Sequence, residues 1–255
     1  MTDLYADWSL VYDYFYPDRS NEVDFWARMA APYGQRLLDA MCGTAEVSLG
    51  LARRDYRVLG VDLSPTMLAV GAERQATAAD YPARNLSLTH GDASALPVLN
   101  DTFDFALIGG SGSFNHLDDA QAVAALRELC RVLRPGGGLG MELINPSLLK
   151  EIYTERSFGP FRPTPPDVRI ERNVANRYEP EAKLFHIHQV TRYEIGDQRC
   201  ECEESFALHV HQPDKVQAWL EAAGFHEVRF YGNYSLGAFD RWSSDLLVVA
   251  PALPD

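Results

Sequence analysis

The chain has 255 residues, 46% of them hydrophobic and 23% charged, enough apolar material for a core without disulfides or a structural metal. Its 23 Lys and Arg against 36 Asp and Glu leave a formal charge of −13 with no basic block, which argues against nucleic-acid or anionic-membrane partners. No apolar run approaches about 18 residues; MTDLYADWSL lacks the regions of a signal peptide, and the cysteines at 42, 130, 200 and 202 form no disulfide framework, so a reduced, cytoplasmic protein is expected.

Along the first half, short apolar runs alternate with amphipathic stretches. Arg36 to Met41 has strand length, and Ala45 to Arg54 reads as a helix with small residues first and basic residues last. Arg57 to Val61 is a second strand ending in Asp62, and Ser64-Pro65 opens the next helix. Asn85 to Thr89 and Phe103 to Ile108 are the third and fourth strands. Asp118 to Leu133 places Val123, Leu126, Leu129, Cys130 and Leu133 at helical spacing, with Arg134-Pro135-Gly136-Gly137 as its stop. Leu139 to Ile144 is the fifth strand. Such repeats require a parallel sheet covered on both faces, a doubly wound α/β fold.

Beyond Asn145 the texture changes. Gly159 to Pro166 holds four prolines and reads as a connection. Residues 169–208 alternate, with Gly196-Asp197 as a hairpin turn between Leu184–Tyr193 and Gln198–Leu208, so an antiparallel insertion is predicted. Pro213–Ala223 reads as a helix closed by Gly224, and Val228–Tyr231 and Leu246–Ala250 as the last strands of the main sheet. The expected organisation is a core of 1–145 and 209–255 interrupted by 146–208.

In a doubly wound sheet, ligands sit beyond the carboxyl ends of the strands, and the chemically suggestive residues fall there. Asp39 lies late in the first strand, and Met41-Cys42-Gly43-Thr44-Ala45 turns into the first helix, where Gly43 lets the backbone approach a ligand. Asp62 ends the second strand, placed to accept both hydroxyls of a ribose. Asp92 and Ala93 follow the third strand, where Asp92 can accept from an adenine amino group. Gly109, Gly110, Ser111 and Gly112 form an open loop after the fourth.

The ordered set LLDAMCGTAEVSLGLA, VLGVDLSPTMLAVGAER, HGDASALP, FDFALIGGSGSFNHL and ELCRVLRPGGGLGMEL resembles the class I S-adenosylmethionine-dependent methyltransferases over roughly 36–144. The resemblance implies a Rossmann-like, seven-stranded methyltransferase sheet with the insertion after its fifth strand. It implies S-adenosylmethionine as cofactor and S-adenosylhomocysteine as product. Asp39 would approach the methionine amino group, with Met41, Cys42, Gly43 and Thr44 beneath the methionine portion. Asp62 would hold the ribose, Leu63 and Met67 would flank the adenine, and Asp92 with Ala93 would read its amino edge. The family's glycine loop departs here, with Met41 and Ala45 at its first and third glycine positions. Either Met41 turns into the core or the cofactor pocket is reshaped.

Three further segments are similar to glycine and sugar-amine N-methyltransferases. The N-terminal Tyr12-Asp13-Tyr14-Phe15-Tyr16 is like a segment that closes over the cofactor. Ser113-Phe114-Asn115-His116-Leu117 is like a stretch bordering the transferred methyl, and the insertion stands where those enzymes build a substrate lid. His116 is then the candidate base or positioning group for an amine; its plain alternative is a packing histidine. Tyr12 and Tyr16 either orient nucleophile and cofactor or anchor the segment.

A metal is not expected. With Gly196-Asp197 as the hairpin turn, Thr191 opposes Cys202 and Tyr193 opposes Cys200, so His186 and His188 project from the other face. Tyr231, Tyr234, Phe239 and Trp242 are read mainly as packing around the last strands, with a pocket wall or a homodimer interface as alternatives. The leading expectation is methyl transfer to a small molecule, N-methylation ahead of O-methylation. A cyclase-type enzyme using the cofactor as scaffold and a non-catalytic partner subunit are the alternatives.

Overall fold

A computed structural model describes residues 3–78, 85–110, 112–149 and 154–252. Its main sheet is built from β1 (Arg36–Ala40), β2 (Arg57–Asp62), β3 (Leu86–His90), β4 (Phe103–Ile108), β5 (Leu133–Leu143), β10 (Arg229–Tyr231) and β11 (Leu246–Pro251). The strand order is β3-β2-β1-β4-β5-β11-β10, parallel from β3 to β5, with β11 antiparallel to β5 and β10 antiparallel to β11. The strand order therefore reverses between β1 and β4, which opens a crevice there.

The alternation within the central strands explains the two helical layers. Leu37, Phe105 and Leu107 face α1 (Ser20–Ala30) and α2 (Glu46–Ala52), and pack with Phe25, Trp26, Val47 and Leu51. Leu38, Ala106 and Ile108 face the other way, against α4 (Asp119–Val132) and α5 (Pro213–Ala223). Both faces are thus covered, as a mostly parallel sheet requires. Ser64 caps α3 (Pro65–Thr77) by accepting from the Met67 amide, and Asp118 with Gln121 forms a capping box on α4. Gly224 ends α5 at φ 105°.

Two differences from the sequence reading stand out. The helix α1 lies in a stretch to which no element is assigned from sequence; it buries Val23, Phe25 and Trp26 on one side. The Arg134–Gly137 segment is not a simple stop but the irregular opening of β5. Phe103 pairs with Leu133, Phe105 pairs with Gly138, and the intervening residues bulge out with Gly136 at φ 70°.

The second sheet holds β6 (Thr154–Phe158), β7 (Val168–Glu179), β8 (Leu184–Ile195) and β9 (Gln198–His209), antiparallel in that order. Its β8–β9 register pairs Thr191 with Cys202 and Tyr193 with Cys200, the predicted alignment, and β6 is a strand absent from the sequence reading. The 3-10 turn Ser9–Phe15 lies against this sheet, with Trp8, Val11 and Phe15 packed on Val168, Ile170 and Cys202. No helix among the described residues is long and apolar enough to cross a membrane.

Candidate functional site

The turn between β1 and α2 takes an unusual backbone. Met41, Gly43 and Ala45 have φ of 63°, 55° and 56°, all left-handed. Alternate positions of this loop thus favour glycine, and the chain meets that demand with glycine only at the middle one. Met41 leans on the core beneath α4, as one of its two readings expects, and also borders a cavity. Ala45 is fully buried, and its methyl fits because the facing residue of α3 is Gly71, where an added Cβ would lie 3.1 Å away. Above Gly43 an added Cβ would meet nothing within 4 Å, so the loop presents bare backbone to open space.

That space is a small cavity at the β1/β4 crevice, bordered among others by Tyr12, Arg19, Asp39, Gly43, Gly109 and Gly110. Asp39 is 2% exposed and accepts a 2.5 Å hydrogen bond from Ser48 Oγ. Burial pushes its carboxyl up to about 7, against the Ser48 bond and with the help of the Glu22 and Asp62 charges. Arg19 is held by Glu22 at 2.8 Å, and Glu22 in turn accepts from the Gly110 amide at 2.9 Å. A carboxylate and a guanidinium therefore border one small cavity.

Asp62 binds the loop from the next strand, accepting from the Gly43 amide at 2.7 Å and the Ser64 amide at 2.9 Å. Each of its oxygens keeps lone-pair capacity for a further donor. Burial raises its carboxyl, while these amides pull it down. Leu63 is 44% exposed whereas Met67 is 2% exposed. Asp92 accepts from the Ser94 amide and hydroxyl through one oxygen, and Ala93 is buried beside it. Ser111 lies outside the described residues.

The N-terminal segment crosses the carboxyl ends of the strands. Asp3 accepts from the hydroxyls of Ser64 and Thr66 at 2.9 and 2.7 Å, and Asp13 accepts from Thr44 at 2.8 Å and pairs with Arg74. Between them Tyr5, Trp8, Tyr12 and Tyr16 pack ring against ring, with Tyr12 facing the cavity. Arg162, from the proline-rich connection, forms two bonds to the Glu46 carboxylate at 2.7 and 2.9 Å and donates to the Tyr16 and Pro17 carbonyls.

His116 shares a 3.0 Å hydrogen bond between Nε2 and the Tyr5 hydroxyl, and its ring stacks on Phe206 of β9 at 5.7 Å. Burial, and secondarily His209, push its imidazole down to about 4, so it is neutral at pH 7. His211 is buried and bonded to the Leu117 carbonyl. Trp242 is 65% exposed and does not join the C-terminal packing expected of it, whereas Tyr231 and Tyr234 do. No group of three His, Cys, Asp or Glu side chains suited to a metal occurs among the described residues.

Arg19, Glu22, Glu46 and Tyr5 are absent from the sequence reading of the site. Only Arg19 carries a faint signal, a cation beside the tyrosine-rich segment of a strongly acidic chain. The others become visible when α1 and the N-terminal turn are brought over the crevice.

Residues 37–137 match the methyltransferase domain. A demethylmenaquinone methyltransferase of Shouchella clausii is 36% identical over 141 residues, 53% of this chain and 57% of that protein. The chain thus spans about half the length of the curated relatives it matches. Among solved structures, an S-adenosylmethionine-dependent methyltransferase from Clostridium acetobutylicum superposes with a TM-score of 0.76 at 17% identity, covering 93% of both chains. The sugar N-methyltransferase KedS8 from Streptoalloteichus superposes at 0.70 with 21% identity, covering 92% of this chain and 87% of its own. At these identities the structures speak for the fold.

Proposed function

Because residues 37–137 carry the methyltransferase domain, on the fold of the S-adenosylmethionine-dependent enzymes, we propose that this protein transfers a methyl group from that cofactor to a small molecule, at an amine nitrogen. The observation that carries the reading is the β1/β4 cavity. Bare backbone at Gly43, a buried carboxylate at Asp39 and a guanidinium at Arg19 suit the amino acid end of the cofactor, which bears one charge of each sign. Asp62 would hold the ribose, and Leu63, Met67, Asp92 and Ala93 would receive the adenine. Gly109 and Gly110 would pass beside the methionine portion, with Ser111 continuing that loop.

S-adenosylmethionine supplies a methyl group already activated on a sulfonium sulfur. The protein's share is alignment and exclusion of water. Tyr12, Tyr16 and the rest of the N-terminal segment would close the crevice, and the four-stranded sheet would act as the lid over the acceptor. His116 suits a positioning role, since a neutral imidazole accepts from an amine N–H, while a group titrating near 4 is too weak a base to strip an ammonium at pH 7. Nitrogen as the acceptor atom follows from the resemblance of Tyr12–Tyr16 and Ser113–Leu117 to the sugar-amine N-methyltransferases.

Calorimetric titration with S-adenosylmethionine and S-adenosylhomocysteine tests the cofactor, and mass spectrometry of candidate amines for one added methyl tests the reaction. Gly43→Ala is expected to weaken cofactor binding at least tenfold, because its Cβ enters the cavity. His116→Ala is expected to slow turnover by more than about tenfold. Absence of cofactor binding to the natural chain overturns the proposal, and turnover of the His116 variant within threefold removes that residue from it.

A further inference from the structure

Two thiols and a phenol converge on one carbonyl of the N-terminal segment. Cys200 and Cys202 stand two apart on β9 and so share one face of the strand. Cys200 Sγ lies 3.9 Å and Cys202 Sγ 3.8 Å from the Asp7 carbonyl oxygen, and the two thiols are in side-chain hydrogen-bond contact. Tyr193, opposite Cys200 on β8, donates its hydroxyl to the same oxygen at 3.0 Å. A carbonyl has two lone pairs and a thiol is a weak donor, so three donors crowd one acceptor and the thiols hold it least.

The strand decides what such a pair can do. Residues two apart in an antiparallel strand are separated by about 6.8 Å, whereas a disulfide needs Cβ atoms about 3.5–4.5 Å apart. Closing a disulfide would therefore break the β9 ladder. Stepwise oxidation is disfavoured too, because it proceeds through the thiolate. Burial, and next the Glu204 charge, push the Cys202 thiol up to about 12. A third atom between the sulfurs fits instead. Bonds of about 2.3 Å to each sulfur, as in metal–thiolate pairs, let the sulfurs stay up to about 4.6 Å apart, against about 2 Å in a disulfide. Access is available at one end. Cys200 is half-buried and borders a surface groove with Arg169, Tyr193 and Arg199, and Cys202 lies behind it, 6% exposed.

We infer that Cys200 and Cys202 form a dithiol site for trivalent arsenic, and that its occupation frees the N-terminal segment from the inserted sheet. Capture of an organic arsenic(III) oxide forms two As–S bonds and breaks two S–H bonds and the As–O bond. The two thiol protons leave with that oxygen as water, and arsenic stays trivalent. Neither thiol needs to be ionised beforehand, since the attacking sulfur gives up its proton as its bond forms. The side chains point away from their own strand toward Asp7, so a centre bonded to both sulfurs enters the space that the Asp7 oxygen fills. Trp8, the next residue, packs on Cys202 with Val11 and Phe15, and Tyr12 on the same turn borders the crevice cavity. The site thus connects a thiophilic ligand at the inserted sheet to a wall of that cavity, and it does so whatever reaction the cavity serves.

The test titrates the full chain with phenylarsine oxide in excess glutathione, a monothiol, and follows intact mass and amide hydrogen exchange. The natural chain is expected to gain one phenylarsenic group with loss of water, to keep it against glutathione, and to lose it to dithiothreitol. Cys200→Ser and Cys202→Ser, and the corresponding alanine variants, are each expected to weaken capture by at least about 100-fold, because a second thiol on the same strand face acts at high effective concentration. Cys130→Ser is expected to leave capture unchanged. With arsenic bound, exchange across residues 5–16 should rise by at least about tenfold while β1 and β4 keep their protection. A natural chain that takes up no arsenic under glutathione, or capture that survives loss of either Cys200 or Cys202, overturns the site. Capture that leaves residues 5–16 protected, or that strips protection from β1 and β4 as well, overturns the release of the segment.

Discussion

Single residues at the β1–α2 turn show a local demand met by an unusual choice. An alanine or methionine in the left-handed region costs about 1–2 kcal/mol, and the chain accepts that cost at two positions of one loop, Met41 and Ala45. Packing compensates: Met41 joins the core, and Ala45 fills the space that Gly71 leaves open. A double-mutant cycle makes this quantitative. Gly71→Ala should lower stability by about 1–2 kcal/mol although alanine is the better helix former, because its Cβ would crowd Ala45, Leu88 and the Thr44 carbonyl. In an Ala45→Gly background that cost should shrink by about 1 kcal/mol, read from urea unfolding. Additive effects would show that the two residues do not complement one another.

Among the elements, the N-terminal segment depends on partners far away in the chain. Arg162 joins it to α2 through the Glu46 carboxylate and the Tyr16 and Pro17 carbonyls, and the Phe161 amide donates to the Tyr14 carbonyl at 2.7 Å. Arg162→Ala should therefore speed amide hydrogen exchange across residues 5–16 by at least about tenfold, while β1 and β4 keep their protection. Unchanged exchange in that segment would show that its aromatic packing suffices. This coupling also explains what the sequence hides. Local patterns place most strands, the hairpin register, the start of α3 and the spans of α4 and α5 close to what is observed, because period and capping are short-range signals. They do not reveal that α1 supplies Glu22 to the Gly110 amide, since that contact joins residues 88 positions apart.

Several titratable groups are buried near the crevice, and they give the whole molecule's stability a pH dependence. Burial raises Asp39 to about 7 and Glu142 to about 8, Glu142 also feeling Glu22 while accepting from Tyr234 at 2.8 Å. Burial lowers His116 and His211 to about 4. The folded state keeps protons on the two carboxyls that the unfolded chain has released, so their stabilisation is complete below the unfolded values of 3.8 and 4.5 and is lost as pH rises through about 7 and 8. The two histidines act in the opposite sense, costing stability as pH falls from 6.5 toward 4. Between those limits the contributions largely offset; above about pH 6.5 only the carboxyls act. Unfolding free energy should then fall by about 2 kcal/mol between pH 6.5 and 8, and Glu142→Gln should remove most of that decline. A natural chain equally stable at both pH values would contradict the assignment.

By itself the sequence determined the doubly wound class, the antiparallel insertion and the strand-end positions of Asp39, Asp62 and Asp92. These follow from periodicity, turn chemistry and the rule that such sheets bind at their carboxyl ends. Tertiary structure alone decided that Arg19 faces the cavity beside Asp39, that Tyr5 holds His116, and that Glu204 and Thr191 are left with orphaned atoms beneath the inserted sheet. The physical reason is one of range. Backbone preference acts between neighbours in the chain, whereas desolvation and hydrogen-bond satisfaction depend on which distant segments finally cover a group.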